Sequence, residues 1–118
     1  MTYPRRGEIY LVQFDPARGH EIQKTRPAVI IQNDIGNQYS PIVIVAAITS
    51  KLSAVPYPVE IPVAPTRSNG LSLDSAVQLN QIRSVDRERL AKRLGILDAA
   101  TIRKVDAAIM ISLGLTEL

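Results

Sequence analysis

Glu21, Lys24 and Arg26 stand close together in the stretch EIQKTRPAVIIQND, and Pro27 follows Arg26 directly. A guanidinium is a planar fork that donates two parallel N–H bonds to a phosphate, a task for which lysine is less suited. A residue before proline is biased to extended backbone, so Arg26 belongs where a loop becomes a strand. Held by a sheet on one side, such a side chain keeps a defined direction. Glu21 is also spaced to form a local salt bridge with Lys24 or Arg26. A second polar group, Thr49-Ser50-Lys51, ends the most apolar stretch of the chain, IVIVAAI. Two hydroxyls and a cation there suit either a shallow pocket or an ordinary turn. Gln81 and Arg83 share one face of an alternating segment, as pocket groups or as a polar outer surface.

Much other chemistry is excluded. His20 is the only histidine, which removes a two-histidine acid–base nuclease. Cysteine is absent, and with it disulfides, thiolate catalysis and cysteine metal sites. Ser72 and Ser75 lack a histidine partner for a nucleophilic triad. The sequence carries no H-E-x-x-H, no P-loop and no G-x-G-x-x-G. Its acids are scattered, so neither a two-metal site nor any other cofactor is expected. Net charge is only +3, yet ten of the fourteen cations are arginine, and they crowd the segment from Arg83 to Lys104. On charge alone that segment reads as a solvated surface with ion pairs, with nucleic acid as the alternative.

The elements that must position these groups are short. Strands are expected at Gly7–Phe14, Pro27–Gln32 and Ile42–Ile48, the last buried on both faces. Proline lacks an amide hydrogen, so Pro27 suits a strand's first position. Three prolines demote Pro56–Val63 to an edge strand. Another strand lies within Ser75–Val85, with Ala76, Gln78, Asn80 and Ile82 on one face and Val77, Leu79, Gln81 and Arg83 on the other. Asp86 is placed to cap a helical turn, and Ala91–Leu97 reads as a last strand. Ala17–Lys24 and Asn33–Pro41 read as loops. Asp98 is the N-cap of the one clear helix, whose Ile102, Val105, Ile109 and Leu113 share a face and which Gly114 stops. Residues 1–118 form one domain, mainly β, a small curved barrel with a C-terminal helix packed on it. No stretch is long enough to span a bilayer, the start lacks a signal peptide, and the absence of cysteine fits the cytoplasm.

Six blocks of the sequence, in order, resemble the MazF/PemK (Kid) toxins of type II toxin–antitoxin systems. They are RGEIYLVQFDPARG, KTRPAVIIQND, IVAAITSK, PYPVEI, GLSLDSAVQLNQIRSVDRERL and the closing VDAAIMISLGL. The chain departs from the family pattern at Glu21-Ile22-Gln23, where a glycine is usual, and at Asn80, where an acid is usual. The resemblance implies an SH3-like barrel of the CcdB/PemK/MazF kind and a homodimer. It further implies a sequence-specific, metal-independent endoribonuclease toxin that cuts single-stranded RNA, including mRNA, and is neutralised by a MazE-like antitoxin. Arg26 and Thr49 match the family's catalytic pair. An arginine with a pKa above about 12 is a poor base, so Glu21 is the candidate for that role. Lys24, Ser50, Lys51, Gln81 and Arg83 are the expected RNA contacts. CcdB, a gyrase poison that shares the barrel and binds without chemistry, is the alternative.

Overall fold

A computed structural model describes residues 2–15, 24–55 and 57–117, without the side chains of Asp15 and Lys24. Alternation along the strands builds a core on each side of one sheet. Ile9, Val29, Ala46 and Ile48 enter the first core with Val77, Leu79, Val105 and Ala108. Their neighbours Val12, Phe14, Ala28, Ile30, Val43 and Val45 enter the second with Val85. The strands are β1 (Glu8–Asp15), β2 (Lys24–Ile30), β3 (Ile42–Thr49), β4 (Glu60–Val63), β5 (Ser75–Asp86) and β6 (Leu90–Ile96). They form a six-stranded antiparallel sheet in the order β4-β5-β3-β2-β1-β6. β3, the apolar strand, lies inside the sheet, and the proline-bearing β4 lies at its edge, as expected from their sequences.

No ladder among the described residues joins the edge strands β4 and β6, but the turn after β4 brings them together. Ile96 N–H donates to Ser68 O at 2.9 Å. Buried Asn69 organises this turn: its Oδ1 accepts the N–H groups of Thr66 and Leu71, each at 3.0 Å, and its Nδ2 donates to Ala64 O at 2.9 Å. The result is the small, incompletely closed barrel that the strand pattern calls for.

Two helices flank the sheet. α2 (Ala99–Ser112) starts as predicted, with Asp98 Oδ1 accepting Thr101 N–H at 2.7 Å. Val105 and Ala108 are its buried residues, whereas Leu113 is 59% exposed because the helix has already ended there. Gly114 takes φ +72°, the left-handed stop expected of it. Arg6 pins α2 to the end of β2 by donating to Ile31 O at 2.9 Å and to Asp106 at 2.7 Å. α1 (Asp34–Tyr39) occupies the stretch whose Gly36, Asn37 and Ser40 read as loop. Asn33 caps it, accepting Gly36 N–H at 2.8 Å. The fully buried Asn37 donates to Gln32 O at 2.9 Å, and Arg87 donates to Asn37 O and to Ser40 O, so tertiary bonds override weak helix propensity. Asp86 caps the 3₁₀ turn Arg87–Arg89, as expected. Among the described residues no helix is long and apolar enough to cross a membrane.

Two carboxylates at helix starts make the fold sensitive to acid: Asp34, the first residue of α1, and Asp98, the cap of α2. The Arg6 backbone N–H, and then the Asn37 amide, hold the Asp34 carboxyl below its ordinary 3.8. The Thr101 N–H does the same for Asp98. A lowered folded pKa adds stability above the unfolded value, and that stability is lost as pH falls through the folded one. The thermal midpoint should therefore drop below about pH 4. In Asp98→Asn, which keeps the cap without the titration, that acid limb should be shallower. An identical acid limb in wild type and variant would contradict the role given to Asp98.

Candidate active site

The seam between β2 and β3 makes the site. Its ladder runs through Ile30↔Val45, Val29↔Ala46 and Ala28↔Ala47. Continuing that register would set Arg26 across from Thr49, but the ladder stops at Ala28. Pro27, beside the stop, has no N–H to donate. β2 stays paired to β1 there, with Arg26 opposite Val12 and Pro27 opposite Leu11. β2 therefore begins before Pro27, and Arg26 sits within a strand rather than at its entrance.

Beyond the stop lie two hollows of about 440 Å³ each. The first has a largely apolar wall of Leu11, Pro27, Ile48, Leu71, Leu73 and Leu94, with Ser50, Ser72 and Ser75 among them. The second is lined by Phe14, Ala47, Gln78, Gln81 and Arg83. Arg26, Thr49 and Lys51 line both, and so stand on the ridge between them. Thr49 Oγ1 accepts the Lys51 backbone N–H at 3.0 Å, which fixes the hydroxyl and leaves its proton for a ligand. Arg26 is exposed, and its guanidinium has no hydrogen-bond or ion-pair partner among the described residues.

β5 reaches the second hollow through an irregularity. Ala46 pairs with Ile82, yet the next residue, Ala47, pairs with Gln78. Leu79, Asn80 and Gln81 are thus extra, and an odd insertion inverts the alternation of side chains. Strict alternation places Gln78 and Arg83 on opposite faces of β5. The bulge instead puts both on the face shared with Ala47 and Thr49, and Gln81 also lines the hollow. Arg83 lies over the Phe14 ring, 5.2 Å from its centroid. Gln78 and Phe14 line the second hollow and were not among the candidates read from the sequence. Period-two counting could not place Gln78 there, because nothing in SAVQLNQIRSV marks a three-residue bulge.

The arginine-rich segment does not form one basic face. Arg87 is committed to α1, Arg89 donates to Gln13 O at 3.2 Å, and Arg93 pairs with Glu8 at 2.5 Å. Of that segment's cations Arg83 lines the second hollow, together with Arg26 and Lys51. No carboxylate is among the described residues lining either hollow. A fork, a hydroxyl and two further cations on one ridge suit an anion, and the paired hollows suit what lies on either side of it. No group of three potential metal ligands occurs among the described residues. Of the other sequence candidates, Ser50 lines the first hollow, while Glu21, like His20, lies outside the described residues. Lys24 is described in its backbone only, which pairs with Asp15.

The family model for PemK-like, MazF-like toxins of type II toxin–antitoxin systems matches residues 5–113. MazF from Deinococcus radiodurans (Form-I) is 25% identical over 97% of this chain and 99% of its own, with a TM-score of 0.76. The MazE-MazF structure from the same organism (Form-II) is 25% identical over 96% and 97%, with a TM-score of 0.79. An endoribonuclease in complex with its cognate antitoxin, from a mycobacterial species, shares the fold at 23% identity over 98% and 99%, with a TM-score of 0.77. The matched span takes in every strand and helix described above, together with both hollows, and the chain belongs to the PemK-like, MazF-like toxins of type II toxin–antitoxin systems.

Proposed function

We propose that this toxin is an endoribonuclease that cuts single-stranded RNA, including mRNA, at specific sequences without a metal ion. The observation that carries the reading is the ridge: Arg26 and Thr49 stand between two hollows whose charged lining, among the described residues, is cationic. RNA supplies its own nucleophile. The 2′-oxygen attacks the adjacent phosphorus, the bond from phosphorus to the 5′-oxygen breaks, the departing 5′-oxygen takes a proton from water, and the products carry a cyclic phosphate and a 5′-hydroxyl. The protein must align the chain and stabilise charge gathering on the phosphoryl oxygens. Arg26 bridges two of those oxygens, and the Thr49 hydroxyl donates to one of them. Glu21 takes the proton from the 2′-hydroxyl, a task unsuited to a guanidinium. Lys51 and Arg83 hold flanking phosphates, and Lys24, Ser50 and Gln81 complete the RNA contacts.

The Deinococcus MazE-MazF structure and the mycobacterial toxin–antitoxin complex support assigning this chain a MazE-like antitoxin as its inhibitor. The working form is a homodimer in the cytoplasm. No observation favours the gyrase-binding alternative. Replacing Thr49 tests the reading. Thr49→Val keeps the shape and removes the donor, so cleavage of a long unstructured RNA should fall about 100-fold. Thr49→Ser should retain most of it. Equal rates for Thr49→Val and wild type would remove Thr49 from the mechanism.

A further inference from the structure

The two hollows flank one ridge but differ in chemistry, and the difference bears on how RNA sequence is read. The first has mainly aliphatic walls. The hydroxyl of its Ser75 is already spent on Leu73 O at 2.8 Å. The second holds two primary amides, Gln78 and Gln81. Gln78 is half-buried, and its amide has no hydrogen-bond partner among the described residues. It stands across from Ala47, whose single methyl leaves room above it, and on the same strand face as Thr49. An amide presents a donor and an acceptor side by side, which is what the edge of a nucleobase requires. A base that fails to match leaves that amide unpaired in a half-enclosed place, which discriminates more strongly than an apolar wall does.

Resting on the ribonuclease reading, we propose that Gln78 determines sequence specificity. Its amide reads the edge of one base next to the scissile phosphate, in the hollow it shares with Gln81, while the aliphatic hollow accepts the base on the other side more tolerantly. The β5 bulge is what makes this possible, since without it Gln78 and Arg83 would point to opposite faces.

The test uses full-length protein and a panel of short RNAs, each carrying a 2′-O-methyl group at the cleavage position so that binding is read without chemistry. Members differ only in the base on one side of that bond. Wild type should prefer one base over the others by roughly ten- to a hundred-fold at one of the two positions. Gln78→Met and the smaller Gln78→Ala should flatten that preference and leave discrimination at every other position intact. Mapped cut sites on a long RNA should relax at the same position, with cutting still dependent on Arg26. Unchanged base preference in both variants would overturn the proposal while leaving the ribonuclease reading in place. Absence of cleavage by wild type would instead strike at that reading, and the binding panel would still decide whether Gln78 reads a base.

Discussion

Arg26→Ala leaves the protein folded and lowers cleavage of single-stranded RNA by about 100- to 1,000-fold, as expected for losing one preorganised donor aimed at developing charge. Arg26 is fixed by pairing with Val12 on β1, while the seam toward β3 has opened beside it. Its side chain is exposed and has no hydrogen-bond or ion-pair partner among the described residues. Removing it breaks no such contact, so the thermal midpoint should stay where it is and the whole effect should fall on turnover. Arg26→Lys restores the charge without the fork, and should recover only part of the rate because a lysine cannot bridge two phosphoryl oxygens. A rate for Arg26→Ala within a few-fold of wild type would contradict the role assigned to the ridge.

Gly95→Ala has the largest expected effect on the fold. Gly95 is buried in β6, and a Cβ there would lie 2.1 Å from Ser68 O and 2.5 Å from the Asn69 carbonyl carbon. Both are backbone atoms of the turn that joins the barrel's open edges, so no flexible side chain can yield. The turn must move as a unit, at the expense of the Ile96–Ser68 hydrogen bond and the bonds made by Asn69. We expect a loss of about 3 kcal/mol, at the upper end for overpacking. For a domain of this size that is a fall of roughly 10 °C in the thermal midpoint. Activity should fall as well, because the same turn continues into the Gly70–Ser75 wall of the first hollow. A midpoint within 2 °C or so of wild type would show that the turn adapts more easily than its backbone contacts imply.

Strands and caps were the legible part of this sequence, because they depend on local chemistry. β3 was visible as an unbroken apolar run, β4 as a proline-bearing edge, and Asp86 and Asp98 as caps. Arg26 and Thr49 were singled out through their motifs, and the fold brings both to the lining of the two hollows. Two features depend on contacts between distant residues and left no local mark. α1 forms from a glycine-bearing stretch because Asn37 is buried and Arg87 ties down its carbonyls. The β5 bulge reverses the facing of Gln78 relative to Arg83. The basic segment was legible as a solvated surface with ion pairs, and the partners that Arg87, Arg89 and Arg93 find elsewhere in the chain agree with that reading.

The most direct test of the central claim is the chemistry of the cut ends. Purified toxin, free of antitoxin, is incubated with a long single-stranded RNA in excess EDTA, and the fragments are labelled by polynucleotide kinase without prior dephosphorylation. A metal-independent attack by the 2′-hydroxyl gives discrete fragments whose 5′ ends accept label at once and whose 3′ ends carry a cyclic phosphate. Fragments with 5′-phosphate ends, or cleavage abolished by EDTA, would contradict it.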